Sequence, residues 1–178
     1  MSDCDRRETL VRTALDAHAG PLGRYAARLA GSASAAEDAV QETLLRLWED
    51  PAPPDERRLA QWLFTVCRNI VLDSRRKEKH MNAWKMAQPG AAAATAPGPA
   101  EAAERSETSS QALRALGGLS ENQREVVRLK FQNGFSYKQI SSITGLSVSN
   151  VGFLIHTAIR NIRTRLGASA PAPRRSQS

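Results

Sequence analysis

The chain has 178 residues, enough for one ordinary domain or two small ones, and its formal net charge of +7 and isoelectric point near 10.1 suit a polyanionic partner. Its two cysteines, Cys4 and Cys67, lie far apart, which excludes a disulfide framework and a CxxC zinc site. No apolar run reaches the roughly 20 residues of a membrane span and no signal pattern opens the chain, so we expect a soluble, cytoplasmic protein without direct membrane insertion.

The charge is distributed unevenly along the chain. Residues 36–50 carry five acids and one base, for a net charge of −4, whereas residues 57–85 carry eight bases and two acids, for a net charge of +6. The first segment repels DNA and the second attracts it. This combination predicts a protein that bridges another protein and DNA rather than one that only binds DNA.

The first part of the chain has the apolar periodicity of helices. Residues 6–30 predict helix, with Gly20-Pro21 interrupting or restarting it. Ser34 and Glu37 have the spacing of a capping box and predict the start of a second helix, which Pro51 ends. A stiff Pro-rich loop, residues 51–58, leads into the next helix.

The segment from Gln61 to Arg76 predicts one helix with two different faces. The inward stripe is expected to consist of Leu59, Leu63, Val66, Cys67 and Ile70. A second face, within about 80° on the helix, carries Trp62, Thr65, Asn69, Asp73 and Arg76. A ring to stack on, polar groups for base edges and a cation for phosphate are typical of a nucleic-acid face. The alternative is an ordinary surface helix with a half-buried Trp.

An Ala- and Pro-rich stretch separates this helical lobe from a second one. Residues 86–110 hardly contain large apolar side chains, so we expect a flexible linker there. The predicted architecture is all-α: two small helical domains, residues 6–85 and 111–166, joined by this linker and followed by a disordered basic tail, residues 167–178.

The second lobe predicts a helix-turn-helix. Two further capping boxes, Ser120 with Gln123 and Ser136 with Gln139, begin helices that end at Gly134 and near Gly145. The first of these helices is expected to bury four of its own side chains, those of Val126, Val127, Leu129 and Phe131. Ser147 then caps a long helix that reaches about Leu166. Two short helices, a tight Gly turn and a longer helix form the helix-turn-helix pattern.

The long helix also has two faces. Its predicted inward stripe is Val148, Val151, Ile155, Ala158, Ile159, Ile162 and Leu166. Ser147 and Ser149 at its start suit a phosphate. Ser149, Phe153, His156 and Thr157 suit base edges, with Phe153 against a thymine methyl, while Arg160 and Lys138 suit the backbone. The alternative is a helical bundle in which Phe153 covers an apolar interface.

Three segments resemble, in order, parts of bacterial sigma factors. Residues 36–48, Ala-Glu-Asp-Ala-Val-Gln-Glu-Thr-Leu-Leu-Arg-Leu-Trp, resemble the helix that binds core RNA polymerase. Residues 62–76 resemble the helix that reads and melts the −10 element, and residues 119–131 with 134–140 resemble the −35-reading domain. Two such domains joined by a linker have the layout of the extracytoplasmic-function (ECF) group.

This resemblance implies a specificity subunit, not an enzyme, that directs polymerase to promoters and assists −10 melting. Its implied partners are core RNA polymerase (the clamp of the largest subunit and the flap), promoter DNA and an anti-sigma factor, with no cofactor, metal or small-molecule substrate. The loop of residues 51–58 corresponds to the family's pocket for a flipped base.

The resemblance also implies site residues. The core-polymerase-binding residues are Asp38, Gln41, Glu42, Leu45 and Trp48. The −10 DNA-binding residues are Arg57, Arg58, Trp62, Thr65, Asn69, Asp73, Arg75 and Arg76. The −35 DNA-binding residues are Lys138, Ser147, Ser149, Asn150, Phe153, His156, Thr157 and Arg160.

The long helix departs from the family pattern, because Gly152, Leu154 and Thr157 are neutral where recognition helices of the family carry bases. Two or three lost contacts cost several kcal/mol by the usual scale of about 1–3 kcal/mol each. We therefore expect −35 recognition that is weaker, differently specified or partly replaced by a protein contact through Phe153 and Leu154. More of the promoter recognition then falls on the Trp62 helix.

Two other classes of function fit the sequence less well. A stand-alone helix-turn-helix regulator, with residues 6–85 as a dimerisation or sensor domain, leaves the acidic segment beside the basic one without a purpose. An enzyme is excluded, because the sequence has no Ser/His/Asp set, no metal-ligand spacing and no Gly-rich phosphate loop. His156 has no Cys or His partner nearby, so it is expected to make a polar contact rather than bind a metal.

Overall fold

The computed structural model describes residues 3–86 and 117–165, and the elements of both ranges are α-helices. They are α1 (Asp3–Ala30), α2 (Ala33–Glu49), α3 (Glu56–Met86), α4 (Glu121–Phe131), α5 (Tyr137–Thr144) and α6 (Val148–Arg165). The chain divides into two compact units, with α1, α2 and α3 in the first and α4 and α6 in the second. The predicted all-α class with two helical domains is confirmed. The linker beyond residue 86, Leu166 and the basic tail lie outside the described residues.

The first helix is continuous, so the predicted interruption at Gly20-Pro21 is wrong. Pro21 lies inside α1, although an internal proline removes one backbone hydrogen bond and costs about 3 kcal/mol. Leu22, Tyr25 and Ala26 follow it directly and are buried. The apolar area that these side chains remove from water offsets the local cost of the proline.

The predicted capping box of Ser34 and Glu37 is also wrong. Gly31, at φ 78°, ends α1 in the left-handed conformation, and Ser32 follows as the N-cap of α2 and accepts from the Ala35 N–H at 3.4 Å. Because glycine reaches positive φ without steric cost, the chain reverses direction at once and the next hydroxyl becomes the cap. The helix therefore begins two residues earlier than expected.

The three helices of the first unit pack pairwise around one core. Tyr25 of α1 and Phe64 of α3 meet in its centre, with ring centroids 5.1 Å apart. The buried hydroxyl of Thr43 donates to the Ala39 carbonyl at 2.6 Å, so it is satisfied inside its own helix. Burial raises the pKa of the neighbouring Cys67 thiol to about 11, although a hydrogen bond with Thr43 opposes the shift.

The core face of α3 is rotated relative to the predicted stripe. Leu59, Leu63 and Cys67 are buried as expected, but Phe64 and Val71 complete the core. Val66 and Ile70, which were expected inside, are only half-buried. The difference amounts to a rotation of about 50°, because α3 packs against α1 and α2 together and these two helices cover a wider arc than a single partner.

The second unit confirms the two later capping boxes. Ser120 and Gln123 exchange both bonds, with the Gln123 N–H donating at 3.2 Å and the Ser120 N–H donating at 3.0 Å. Ser136 and Gln139 do the same at 3.3 and 2.9 Å. Gly134 has φ 73° and ends the first of these helices, as its position in the sequence predicts.

The helix-turn-helix geometry is present in α5 and α6. The helix axes meet at 105°, which is within the usual range of about 90–120° for this motif. Gly145, between the two helices, has φ 75°. Val126 and Leu129 of α4 are buried, as are Val151, Ile155 and Ala158 of α6. Two expected core residues are exposed instead, Phe131 in the last turn of α4 and Val148 in the first turn of α6, because the ends of both helices extend beyond the packed surface.

Candidate nucleic-acid and partner interfaces

The outer face of α2 carries large apolar side chains in water. Ala36, Ala39, Thr43 and Leu47 are buried on the opposite side of this helix, and Leu45 and Trp48 are 56% and 43% exposed. Asp38 and Gln41, both exposed, lie within about 80° of them on the helix. An apolar centre with polar neighbours is the composition of a protein–protein contact.

Two interactions hold this face in place. Glu42 pairs with Arg46 at 2.9 Å, one turn along the same helix, so its carboxylate is already engaged in an exposed ion pair. Arg7 of α1 donates to the carbonyl oxygen of Trp48 at 2.9 Å and ties the end of α2 to the start of α1. The structure therefore brings all five predicted core-binding residues onto one helix, with Glu42 at the margin of the exposed face.

An open apolar groove of about 440 Å³ lies beside this face, between α1 and α2. Leu15, Gly23, Val40 and Leu44 are among its lining residues, and Gln41 lies on its rim. The sequence pattern did not reveal it, because periodicity gives the inward side of each helix but not the space left between two helices.

The predicted DNA face of α3 is present as a surface. Asn69, Asp73 and Arg76 are exposed, while Trp62 and Thr65 are half-buried. Arg76 lies 3.5 Å from the Asp73 carboxylate, and the Thr65 hydroxyl donates to the Gln61 carbonyl at 2.8 Å. A half-buried Trp leaves part of its ring open to solvent, and with exposed polar groups in line it suits stacking on a base.

The structure separates Arg57 and Arg75 from this face. Arg58 is exposed on the same side of α3 as Asn69, whereas Arg57, in the first turn, lies on another side. Arg75 is half-buried and donates to the Leu29 carbonyl at the end of α1, at 3.2 Å. A guanidinium that satisfies the last carbonyls of a neighbouring helix stabilises that helix end. The geometry thus gives Arg75 a structural contact within the first unit.

The predicted −35 residues of α6 lie mostly on one face. Ser149, Phe153, His156 and Arg160 are all exposed within about 60° of one another, and Phe153 is 66% exposed on the side opposite the buried stripe. Asn150 is exposed on a neighbouring side and Thr157 is half-buried. The Ser147 hydroxyl accepts from the Asn150 N–H at 3.2 Å, and Lys138 lies exposed on α5.

Gly152 allows close contact between α5 and α6. A Cβ placed on it would lie 3.5 Å from the Cε2 of Tyr137, the first residue of α5. Lys130 of α4 lies over the same ring, 5.4 Å from its centroid, and donates to the Phe135 carbonyl at 3.4 Å. An aromatic ring therefore lies beside Gly152, and Leu154, another neutral residue of this helix, is half-buried.

The end of α3 is a feature that the sequence reasoning missed. From Arg76 to Trp84 every residue is exposed, including Met81 and Trp84 at 55% and 70%. Lys77, His80 and Trp84 lie within about 60° of one another, in line with Trp62 and Asp73. The sequence predicts this helix only as far as Arg76, whereas α3 continues to Met86.

Neither a metal site nor a single membrane-spanning helix is found in the described parts of the chain. No group of three His, Cys, Asp or Glu side chains within residues 3–86 and 117–165 is arranged to hold a metal ion. No single helix there is long and apolar enough to cross a membrane; the α5–α6 pair meets that criterion only jointly, and it is bent by 105°.

Two family models and several known proteins match the chain. The family model "Sigma-70 region 2" matches residues 14–81, and "Sigma-70, region 4" matches residues 100–162. The chain is 38% identical over 160 residues to the ECF RNA polymerase sigma factor SigL of Mycobacterium tuberculosis, covering 88% of this chain and 89% of that protein. It is 32% identical over 149 residues to EcfG of Rhodopseudomonas palustris, covering 83% and 77%.

A solved structure has the same fold. It is the sigma factor RpoE of Bartonella quintana in complex with the anti-sigma factor NepR, with a TM-score of 0.62 and 26% identity over 85% of this chain and 92% of that one. A helical unit with an exposed acidic and apolar face, followed by a helix-turn-helix, thus belongs to a known class of transcription factor. The chain is a member of the sigma-70 family, in its ECF group. It is a sigma factor that binds RNA polymerase and promoter DNA.

Proposed function

We propose that the three exposed faces divide the work of promoter-directed transcription. The α2 face binds the clamp of the largest polymerase subunit, the α3 face captures and opens the −10 element, and α6 reads the −35 element. The protein performs no catalysis itself, since polymerase carries out the chemistry. It works in the cytoplasm, where polymerase and the chromosome are.

The observation that carries this proposal is the exposure of Leu45 and Trp48 on the side of α2 opposite its core. Two large apolar side chains in one exposed stripe, flanked by Asp38, have the chemistry of an interface with an apolar centre and charged steering. A stand-alone DNA-binding regulator has no use for an acidic, apolar face next to its DNA-binding helix.

The α3 face supports strand capture. Trp62 is half-buried, so part of its ring is open for stacking, and the exposed Asn69 offers both donors and acceptors to a base edge. Flipping a base out of the duplex costs a few kcal/mol, which stacking and edge hydrogen bonds offset. Asp73 lies beside Arg76 and limits how far its guanidinium is available to phosphate.

The α6 face supports duplex recognition with few cations. Ser149, His156 and Arg160 surround the exposed ring of Phe153, which suits a thymine methyl in the major groove. Tyr137 lies beside Gly152, so this helix offers an apolar and hydroxyl-rich surface in place of a basic one. We therefore expect a shallow salt dependence of −35 binding, because each missing phosphate contact lowers the slope by about 0.9.

An anti-sigma factor is a further partner that we propose. The similar RpoE was solved in complex with the anti-sigma factor NepR. The apolar groove between α1 and α2 adjoins Gln41 of the core-binding face, and a partner seated there would compete with polymerase for the same surface.

The direct experiment adds the purified protein to core RNA polymerase and maps transcription start sites on genomic fragments. New start sites that depend on the protein, and share sequence elements upstream, are expected. Stable binding to those fragments without core polymerase, and no new start sites with it, would indicate the stand-alone regulator instead.

A further inference from the structure

The last turn of α2 carries Trp48, a residue proposed to bind polymerase, but little of this turn is packed. Leu47 is buried there, whereas Trp48 and Glu49 are exposed. Asp50, directly after the helix, is extended, with ψ 120°, so the chain leaves the helix at once. The carbonyl groups of a last helical turn have no partner within the helix, and helix ends fray. The position of the Trp48 ring therefore depends on what holds this turn from outside.

The charges at this end of α2 work against the helix. The helix dipole places partial negative charge on the last carbonyl groups, and Glu49 and Asp50 add two acidic side chains at the same end. Arg46, the base of the last turn, is paired with the Glu42 carboxylate at 2.9 Å. A further cation beside the last carbonyl groups therefore stabilises this turn.

Arg7 of α1 supplies that cation. Its Nη1 donates to the Trp48 carbonyl oxygen at 2.9 Å, across 41 positions of the sequence, and the residue is half-buried. A hydrogen bond from a guanidinium is charge-assisted and roughly twice as strong as a neutral one. Because the guanidinium binds the backbone of residue 48, it fixes the turn from which the indole projects.

We propose that Arg7 is a positioning residue for polymerase binding, which keeps the last turn of α2 formed and so presents the Trp48 ring to the clamp. This inference rests on the proposed function of the α2 face. Arg7 lies before residue 14, where the match to sigma-70 region 2 begins, so a part of the chain outside that match contributes to the site. Direct contact of Arg7 with polymerase fits less well, because a partner complementary to the acidic segment of residues 36–50 is itself basic and repels a guanidinium.

The expected size of the effect follows from the population of the formed turn. Loss of a charge-assisted hydrogen bond shifts the equilibrium between formed and frayed turn by about tenfold or more. The apparent affinity of a partner falls in proportion to the fraction of molecules in the competent state. We therefore expect Arg7→Ala to weaken binding of core polymerase by about threefold to tenfold.

The first measurement follows the turn in the free, full-length protein by hydrogen exchange. Arg7→Ala should speed exchange about tenfold in peptides from the last turn of α2 and leave the rest of the first unit unchanged. Arg12→Ala is the matched control, since it also removes one positive charge from α1, where Arg12 pairs with Glu8 at 2.8 Å. It should leave the last turn of α2 protected. Unchanged exchange in Arg7→Ala, or equally faster exchange throughout the unit, would contradict a local action on this turn.

The second measurement is core affinity in a double-mutant cycle of Arg7→Ala and Trp48→Ala. If Arg7 acts by positioning the indole, its effect should largely disappear when the indole is absent. A residue that only adds to the stability of the first unit would have the same effect in both backgrounds. Arg7→Lys keeps a cationic donor and should retain most of the affinity, and Arg12→Ala should retain all of it.

The outcomes separate this inference from the proposed function. If Trp48→Ala binds core polymerase as tightly as wild type, the assignment of the α2 face itself fails. If Trp48→Ala weakens binding but Arg7→Ala does not, or if the two losses are additive, the positioning role of Arg7 is wrong. A loss in Arg7→Lys as large as that in Arg7→Ala would overturn it as well.

Discussion

The ring of Tyr137 lies against Gly152 across the helix-turn-helix: its Cε2 atom is 3.5 Å from the position that a Cβ on residue 152 would occupy. That distance is ordinary van der Waals contact, so the site tolerates one methyl group. Glycine inside a helix costs about 0.5–1 kcal/mol relative to alanine. We expect Gly152→Ala to raise the free energy of unfolding by up to this amount, measured by urea denaturation.

Gly134 provides the opposite control for that substitution. It lies in open space, but its φ is 73°, a conformation that costs an L-residue about 1 kcal/mol or more. Gly134→Ala should therefore destabilise the protein. If Gly152→Ala lowers the midpoint as Gly134→Ala does, the space beside Tyr137 does not accept a methyl group and the prediction is wrong.

Charge reversal on α2 should weaken polymerase binding without unfolding the protein. Asp38→Arg with Glu42→Arg places two cations on the exposed face and removes the Glu42–Arg46 pair, which is a surface ion pair of little value to stability. We expect core affinity to fall by about tenfold to a hundredfold, the range for central interface residues, with an unchanged helical circular dichroism spectrum. The measurement is titration of labelled protein with core polymerase.

The matched control for this pair lies on α1. Glu8 pairs with Arg12 at 2.8 Å in another exposed one-turn contact, so Glu8→Arg is the control for Glu42→Arg alone and makes the same change in net charge on α1. A loss of core affinity in the control equal to that in the α2 variant would show that net charge, rather than the α2 face, governs binding.

Alkaline pH should destabilise the first unit through Cys67. Its pKa is raised from 9.0 to about 11 in the folded protein, so the neutral thiol is favoured on folding. The stabilisation is fully present below pH 9 and is lost as pH rises from 9 towards 11, by about 2–3 kcal/mol. The test compares wild type with Cys67→Ala at each pH, so that contributions common to both proteins cancel. The destabilisation caused by the substitution should shrink as pH rises from 9 towards 11. A pH-independent difference would contradict it.

Phe153 should give the −35 contact a preference for thymine over uracil. Replacing −35 thymines by uracil one at a time removes only the methyl group, which is worth about 0.8 kcal/mol when buried, or about fourfold in affinity. With the wild-type holoenzyme, we expect the replacement to lower affinity at one −35 position. With Phe153→Ala, we expect it to lower affinity at none. Val148→Ala, which removes an exposed apolar side chain elsewhere on α6, should keep the preference. A methyl effect that survives in Phe153→Ala would assign it to another residue.

Sequence periodicity predicted the local features of the fold well, because they depend on neighbours along the chain. The boxes of Ser120 with Gln123 and Ser136 with Gln139 need only a hydroxyl and an amide three residues apart. The glycines that end α4 and α5 need only their own backbone freedom. The inward stripe of α6, from Val151 to Ala158, follows from one packed side.

Features that depend on several helices at once could not be obtained from the sequence. The core face of α3 includes Phe64 and Val71 because two helices pack on it, and Arg75 belongs to the fold because the end of α1 happens to lie within its reach. For the candidate site, helical periodicity predicted which face of α3 carries Trp62 and which face of α6 carries Phe153. It could not give the groove beside α2 or the free-standing end of α3, since both depend on where neighbouring helices stop.

The most direct test of the division of labour measures strand opening at saturating core polymerase. Trp62→Ala and Asn69→Ala should bind core as tightly as wild type but reduce permanganate reactivity of the −10 element by about tenfold, as expected for one lost stack or base contact. Ser74→Ala, an exposed residue on another side of α3, serves as the control and should open the promoter normally. Normal opening in the Trp62 and Asn69 variants at equal core affinity would contradict the assignment of α3 as the helix that opens the promoter.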